Sequence, residues 1–244
     1  MKFFLVGGTP RNHHLGLDSG DMDFAVEAPS FDAMKAELLK RGLDVWQERP
    51  EFVTLRGRFP LATFGNFSGL VNPFGAGPQR DTAAGDFTLC RAEAQYSDKR
   101  HPDKVTPADL ETDLARRDFT MNAMAVSEDG EWHDPFGGLE DLDNGLIRTV
   151  GDAGLRFVED PLRILRALRF KVTLKLLLHT DVQDALDRWS MVSLLRTLPK
   201  ERVMEELNKM LSADWGHMSR LLFNDHPMVG SVVSDMGLRL RART

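Results

Sequence analysis

The hydrophobic period changes once along this chain, and that change restricts the fold more than any single motif does. Up to about residue 150 the apolar residues come in short runs or in alternation, broken by glycine, proline and asparagine, as in strands joined by turns. Lys2–Val6 is β-like, Gly7-Gly8 interrupts it, and Asp21–Val26 (DMDFAV) alternates polar with apolar as a half-buried strand does. Two strands flanking a glycine turn are therefore expected, then a helix. Pro29-Ser30 offer its start, Phe31, Met34, Leu38 and Leu39 its apolar stripe, and Gly42 its stop. Gly65–Gly85 shows no period and reads as an irregular excursion. Phe87–Cys90 resumes strand character, and Ser97–Pro107 (SDKRHPDKVTP) reads as a second loop.

From about Gly151 the spacing is helical. Helices are expected from Asp160-Pro161 onward, over Asp181–Trp189, and over Pro199–Leu211 (PKERVMEELNKML). There is no internal repeat and no Ser/Gly linker, so the change of period alone divides the chain into a β-rich part, 1–150, and a helical part, 151–244. The class is α+β.

Composition excludes several alternatives. With 42% apolar and 28% charged residues and a mean hydropathy of -0.30, the 244-residue chain is neither low-complexity nor membrane-spanning. Cys90 is the lone cysteine, so no internal disulfide and no Cys-rich zinc site can form, which fits a reducing cytoplasm. The apolar run after Met1 is too short for a signal peptide. A net charge of -6 argues against coating nucleic acid by bulk electrostatics. Basic residues nonetheless concentrate late, at Arg156, Arg163, Arg166, Arg169, Lys171 and Lys175, and again at Arg239, Arg241 and Arg243.

Asp21 and Asp23 lie two apart in an expected strand, so their side chains leave one face with Cα atoms about 6.5–7 Å apart. Paired hard carboxylates with room for water suit Mg²⁺, although surface strands often carry such pairs with no metal role. Gly7-Gly8 and Arg11 next to them offer bare amides and a guanidinium suited to a triphosphate; the plainer alternative is a turn with a surface arginine. In Asp113–Ala125 (DLARRDFTMNAMA), Arg116, Arg117 and Asp118 precede a helix-compatible run, which fits either a functional cluster or a solvated helix start capped by Asp118. In Glu159–Phe170 (EDPLRILRALRF), Arg163, Arg166 and Arg169 recur every three residues and share a helix face beside Glu159 and Asp160. An exposed, ion-paired helix explains that stripe; so does a surface that reads a base edge and holds phosphates.

Taken together, LVGGTPRNHHLG with DMD, DLARRDFTMNAMA, DPFGGLEDLDNGLIRTV, EDPLRILRALRF and PKERVMEELNKML, in this order, resemble the motifs of the class II tRNA nucleotidyltransferase and poly(A) polymerase family, the CCA-adding enzymes. These belong to the polymerase-β-like nucleotidyltransferase superfamily. The resemblance implies a nucleotidyltransferase head, a mixed sheet with flanking helices, followed by a helical neck-like domain for nucleotide selection and RNA binding that is short for the family. It implies that Asp21 and Asp23 hold Mg²⁺ and that Gly8 and Arg11 meet the triphosphate. Arg117, Asp118 and Asn122 are implied nucleotide contacts. Asp160 and Arg163 would pair with CTP or ATP in place of a template, with Arg166 and Arg169 as further nucleotide-binding arginines. Asp86 is the expected third catalytic carboxylate, with Glu93 competing, while His13 and His14 are expected to be turn residues. Thr9-Pro10 and Asn12 stand where the family has a small aliphatic pair and an aspartate. The implied reaction adds CMP or AMP to the 3′ end of tRNA or another RNA. Poly(A) synthesis, CC-only or A-only addition, and a non-polymerising regulatory role are the alternatives, and a second copy of the chain could complete the grip on RNA.

Overall fold

The computed structural model describes residues 1–19, 22–67, 81–96 and 102–238, in two compact units that divide between residues 142 and 143. The first unit opens with β1 (Lys2–Val6), whose Phe3, Phe4, Leu5 and Val6 are all buried. The chain then turns at Gly7 into a short helix, α1 (Gly8–His14), before β2 (Met22–Glu27). The expected direct strand–turn–strand opening is thus corrected to strand–helix–strand: Gly7 takes φ 73°, and Thr9 and Pro10 are buried within α1.

Helix α2 (Phe31–Lys40) has the expected limits, with Ser30 Oγ accepting from the Ala33 amide at 3.1 Å and Gly42 at φ 87° ending it. Met34 and Leu38 are fully buried, whereas Leu39 is half exposed and does not belong to the apolar stripe. Then follow β3 (Asp44–Arg49), β4 (Thr54–Pro60), β5 (Thr82–Leu89), β6 (Arg91–Tyr96) and β7 (Pro102–Pro107). Helix α3 (Leu110–Ala115), β8 (Ala125–Ser127), β9 (Trp132–His133) and α4 (Gly138–Asp143) complete the order.

Two expectations of irregularity are corrected here. Thr82–Gly85 is already strand, because it pairs with both β2 and β4, and Pro102–Pro107 forms an antiparallel hairpin with β6. Residues 68–80 and 97–101 lie outside the described residues, as do Asp21 and Arg239, Arg241 and Arg243.

Seven strands form one mixed sheet in the order β3-β4-β5-β2-β1-β8-β9, in which β2 and β5 run parallel and the other neighbours antiparallel. Strand alternation sends Met22, Phe24, Val26, Leu55, Phe59, Phe87 and Leu89 into a core shared with Met34 and Leu38 of α2. Phe24 and Phe87 stack with ring centres 4.5 Å apart, and Phe59 meets Phe24 edge-on at 5.5 Å. The same alternation forces the intervening residues, Asp23, Asp86 and Arg56, onto the opposite face.

The second unit contains β10 (Leu146–Ile147), followed by helices and one further short strand, with a 3₁₀ turn over Ser193–Thr197 and a π-helical turn over Leu221–Asp225 between them. In chain order the helices and strand are α5 (Ala153–Glu159), α6 (Leu162–Leu174), β11 (Leu177–Leu178), α7 (Thr180–Leu186), α8 (Trp189–Val192), α9 (Lys200–Ala213), α10 (Trp215–Arg220) and α11 (Pro227–Asp235). Leu162, Ile164, Leu165, Leu168 and Val172 bury one face of α6, and α9 packs on that helix through a face that includes Val203, Leu207 and Met210. The α+β class expected from the periods is the one observed.

Candidate active site

Parallel pairing places Asp23 directly opposite Asp86, and antiparallel pairing places Asp86 opposite Arg56. The three therefore form one row across the open face, at strand spacings of about 4.8 Å. Asp23 is exposed; Asp86 is part-buried and accepts from Arg56 Nη1 at 3.0 Å. Glu93 is carried by β6 in a separate two-stranded sheet, so it is Asp86 that the fold brings beside Asp23.

Gly7 fits against this row because it has no side chain. A Cβ there would lie 3.4 Å from both Asp23 Oδ2 and Arg117 Nη1, on a backbone that L side chains rarely adopt. The Arg117 guanidinium consequently reaches the same corner as the Asp23 carboxylate.

A buried layer positions the arginines. Asp113 is almost fully buried; its Oδ1 accepts from Arg116 Nε and Nη2 at 3.0 and 2.5 Å, and its Oδ2 accepts from Arg117 Nη2 at 3.3 Å. Arg117 Nη1 also donates to the Asn122 carbonyl at 3.4 Å, while its Nε is buried with no hydrogen-bond partner. Arg11 donates through Nη1 to Asn122 Oδ1, and through Nε and Nη2 to Asn12 Oδ1 at 3.1 and 2.8 Å. Asn122 in turn donates to Asp118 Oδ1 at 2.9 Å, which also accepts from the Phe119 amide at 2.8 Å. Asn12 thus supplies Arg11 with a neutral acceptor. Gly8 stands against Arg11, a Cβ there lying 3.3 Å from Arg11 Nη2.

The Arg116–Asp118 segment is consequently not a solvated helix start. The helix lies before it, at Leu110–Ala115, and Asp118 is buried ahead of a single 3₁₀ turn over Thr120–Asn122. Asp113 was not singled out by sequence reasoning, although its spacing of three and four residues to Arg116 and Arg117 on one helix end carries that signal. Arg56 has no such signal, since its place beside Asp86 depends on a strand register set across the 61–81 connection. His13 and His14 fall in the last turn of α1, with His13 Nδ1 buried and unpartnered. Burial, followed by the Asp113 carboxylate, pushes the Cys90 thiol well up, so no thiolate is available at neutral pH.

Asp160, Arg163, Arg166 and Arg169 lie on the helical unit. Asp160 Oδ1 accepts from the Leu162 amide at 3.1 Å, and Arg163 Nη1 donates to Glu159 Oε2 at 2.9 Å and to the Arg156 carbonyl at 3.3 Å. Arg166 is part-buried, 5.7 Å from the centre of the Phe170 ring. Arg169 is turned inward: Nε donates to the buried Glu206 at 2.5 Å and the guanidinium lies 3.9 Å above Phe170. The arginine stripe is therefore divided, Arg163 facing Glu159 and Arg169 facing Glu206 and the Phe170 ring.

Glu206 also accepts from Lys209 at 2.8 Å. Burial alone would raise its pKa, but Lys209 and Arg169 together hold it below the ordinary carboxylate value. The stability it contributes is complete above the unfolded-state pKa and is lost as pH falls through the lower folded value. Glu206→Gln is expected to destabilise the protein by about 2 kcal/mol at pH 7, a difference that shrinks on acidification below pH ~4.5; unfolding midpoints of both proteins from pH 3 to 7 check this.

Exposed or part-buried carboxylates on adjacent strands are the oxygen donors Mg²⁺ takes, so the residues present fit that ion. Among the described residues they are a pair, with no group of three metal-binding side chains, and Asp21 lies outside those residues.

Residues 76–148 match the poly A polymerase head domain. Over nine-tenths of its length the chain is similar to CCA-adding enzymes. It is 35% identical over 225 residues to the CCA-adding enzyme of Streptococcus agalactiae, covering 91% of this chain and 48% of that protein. The crystal structure of the Bacillus stearothermophilus CCA-adding enzyme in complex with CTP superposes with TM-score 0.69 at 28% identity, covering 93% of this chain and 48% of that one. A tRNA nucleotidyltransferase complexed with a primer tRNA and an incoming ATP analog gives TM-score 0.68 at 27% identity, covering 98% and 61%. The chain spans about half the length of the curated relatives it matches. No helix among the described residues is long and apolar enough to cross a membrane.

Proposed function

We propose that this chain transfers nucleotidyl groups from CTP and ATP to the 3′ end of tRNA, building or repairing a CCA end in the cytoplasm. The observation that carries the reading is the in-register Asp23–Asp86 pair beside Gly7 and Arg117, in a chain related to CCA-adding enzymes. Asp23 and Asp86, joined by Asp21, would hold Mg²⁺, which when bound neutralises phosphate charge and eases ionisation of the attacking hydroxyl. The residues of the chain do the rest by position.

Arg117, held by Asp113, and Arg11, held by Asn122 and Asn12, present guanidiniums toward a triphosphate, and Gly8 leaves the Arg11 fork unobstructed. Asp118 fixes Asn122 and so acts on the nucleotide through Arg11. The 3′ oxygen attacks the α-phosphorus, the α–β anhydride bond breaks, pyrophosphate leaves and the hydroxyl proton passes to water. On the helical unit Asp160 offers an acceptor and Arg163 and Arg166 donors, the complement of a cytosine or adenine edge. A second copy of the chain would extend the RNA grip.

The test is pyrophosphate release from CTP in the presence of a tRNA transcript lacking CCA. Release that needs the 3′ hydroxyl, and vanishes with a 3′-deoxy end, supports the reading. Release indifferent to the RNA end contradicts it.

A further inference from the structure

The acid row continues past Arg56 onto the edge of the sheet. Arg56 pairs with Gln47 and Arg58 with Asp44, so the open face of the β3–β4 hairpin extends laterally from the carboxylates, and Gln47 lies about 14 Å from Asp23, three strand spacings away. The register shifts between Val45 and Gln47, leaving Trp46 as the extra residue of a β-bulge. Val45 packs against the core and Gln47 opposes Arg56, so the bulge lets Trp46 and Gln47 share the open face instead of sending one of them inward.

What that face exposes is chemically distinctive. Trp46 is 50% exposed, with the Arg58 guanidinium 5.2 Å from its ring centre and its Nε1 donating to Asp44 at 3.3 Å. Arg49 and Arg58 are exposed, whereas part-buried Arg56 is paired with Asp86, so past the acid pair two exposed arginines face the carboxylate of Asp44. In a chain of net charge -6 this is a local cationic strip with an aromatic platform, beginning at the acid pair. A flat ring among guanidiniums is how proteins hold single-stranded nucleic acid without reading its sequence.

We infer that the open face of the β3–β4 hairpin binds the single-stranded 3′ end of the RNA, a base stacking on Trp46 and the phosphates following Arg58 toward Asp23 and Asp86. This rests on the proposed function, which it deepens by assigning a path to the RNA. The occupant follows from the charge and the platform, both of which fit a polyanion of planar bases.

The experiment uses the full chain with a fluorescein-labelled tRNA transcript lacking CCA, followed by anisotropy over a range of salt, with thermal melting and CTP binding measured on every variant. Trp46→Ala is expected to weaken RNA binding about fivefold or more with the salt slope unchanged, and Trp46→Phe to restore most of the affinity. Arg58→Ala is expected to weaken binding and flatten the slope of log K against log salt by about 0.7. CTP affinity and melting temperature should stay at wild-type values. Wild-type RNA affinity in both alanine variants overturns the inference, and so does failure of the unmodified protein to bind this RNA. Nucleotide addition measured on the same samples separates the two claims. Addition with unaltered RNA affinity in the variants discards the hairpin path alone, whereas RNA bound through the hairpin without addition discards the enzymatic reading alone.

Discussion

Asp23→Ala is expected to lower nucleotide incorporation by about 10³-fold or more while changing folding stability by no more than about 0.5 kcal/mol. The two effects separate because of where the side chain lies. Asp23 is exposed on the open face, and its removal opens no cavity: the Phe24–Phe87–Phe59 packing lies on the other side of the sheet. What is lost is one of two adjacent oxygen donors. Asp86→Asn makes the complementary case, since an amide keeps the shape beside Arg56 but loses the charge. Incorporation rates under single-turnover conditions, with melting curves on the same samples, check both. An Asp23→Ala protein that incorporates at the wild-type rate contradicts the assignment of this corner of the sheet.

Asp113→Ala is expected to have the largest effect on stability, about 3 kcal/mol. Asp113 is 1% exposed and its two oxygens compensate Arg116 and Arg117. Truncation leaves two guanidiniums without their buried counter-charge, and burial is what makes that costly. Because Arg117 is also the cation aimed at the Gly7–Asp23 corner, the variant should raise the KM for CTP in addition to lowering the unfolding midpoint. Asp113→Asn separates the contributions: it keeps the packing and acceptor geometry on one side, so it should recover part of the stability while the KM stays raised. A midpoint and KM both equal to wild type would show that Arg117 is positioned by something else.

The period of the sequence was enough to place β1, β2, α2 and the helices α6, α7 and α9, because each has a local cause: alternation, a serine cap, a glycine at positive φ, or an apolar stripe. Helix α1 was not legible, since seven residues beginning with glycine and containing proline carry no stripe, and their conformation follows from burial of Thr9 and Pro10. The β6–β7 hairpin was hidden for a related reason: Pro102 and Pro107 bound a strand whose only recommendation is its partner, Arg91–Tyr96. The motif arithmetic found the carboxylates and the arginines but not their arrangement. Asp86 meets Asp23 through strand register, and Arg169 turns inward because Glu206, far along the chain, is buried against it. Contacts made across long stretches of sequence leave no periodic trace, and the same holds for Arg56 and the bulge at Trp46.

The most direct test of the central claim is extension of a tRNA transcript lacking its CCA end by the purified chain with Mg²⁺, using CTP alone, ATP alone and both, resolved at single-nucleotide length. Addition of two residues with CTP alone, and of a third that stops there with both nucleotides, is the predicted result. Unlimited extension with ATP alone would make the chain a poly(A)-type polymerase. No extension under any condition, from a protein that is folded and binds CTP, would contradict the account.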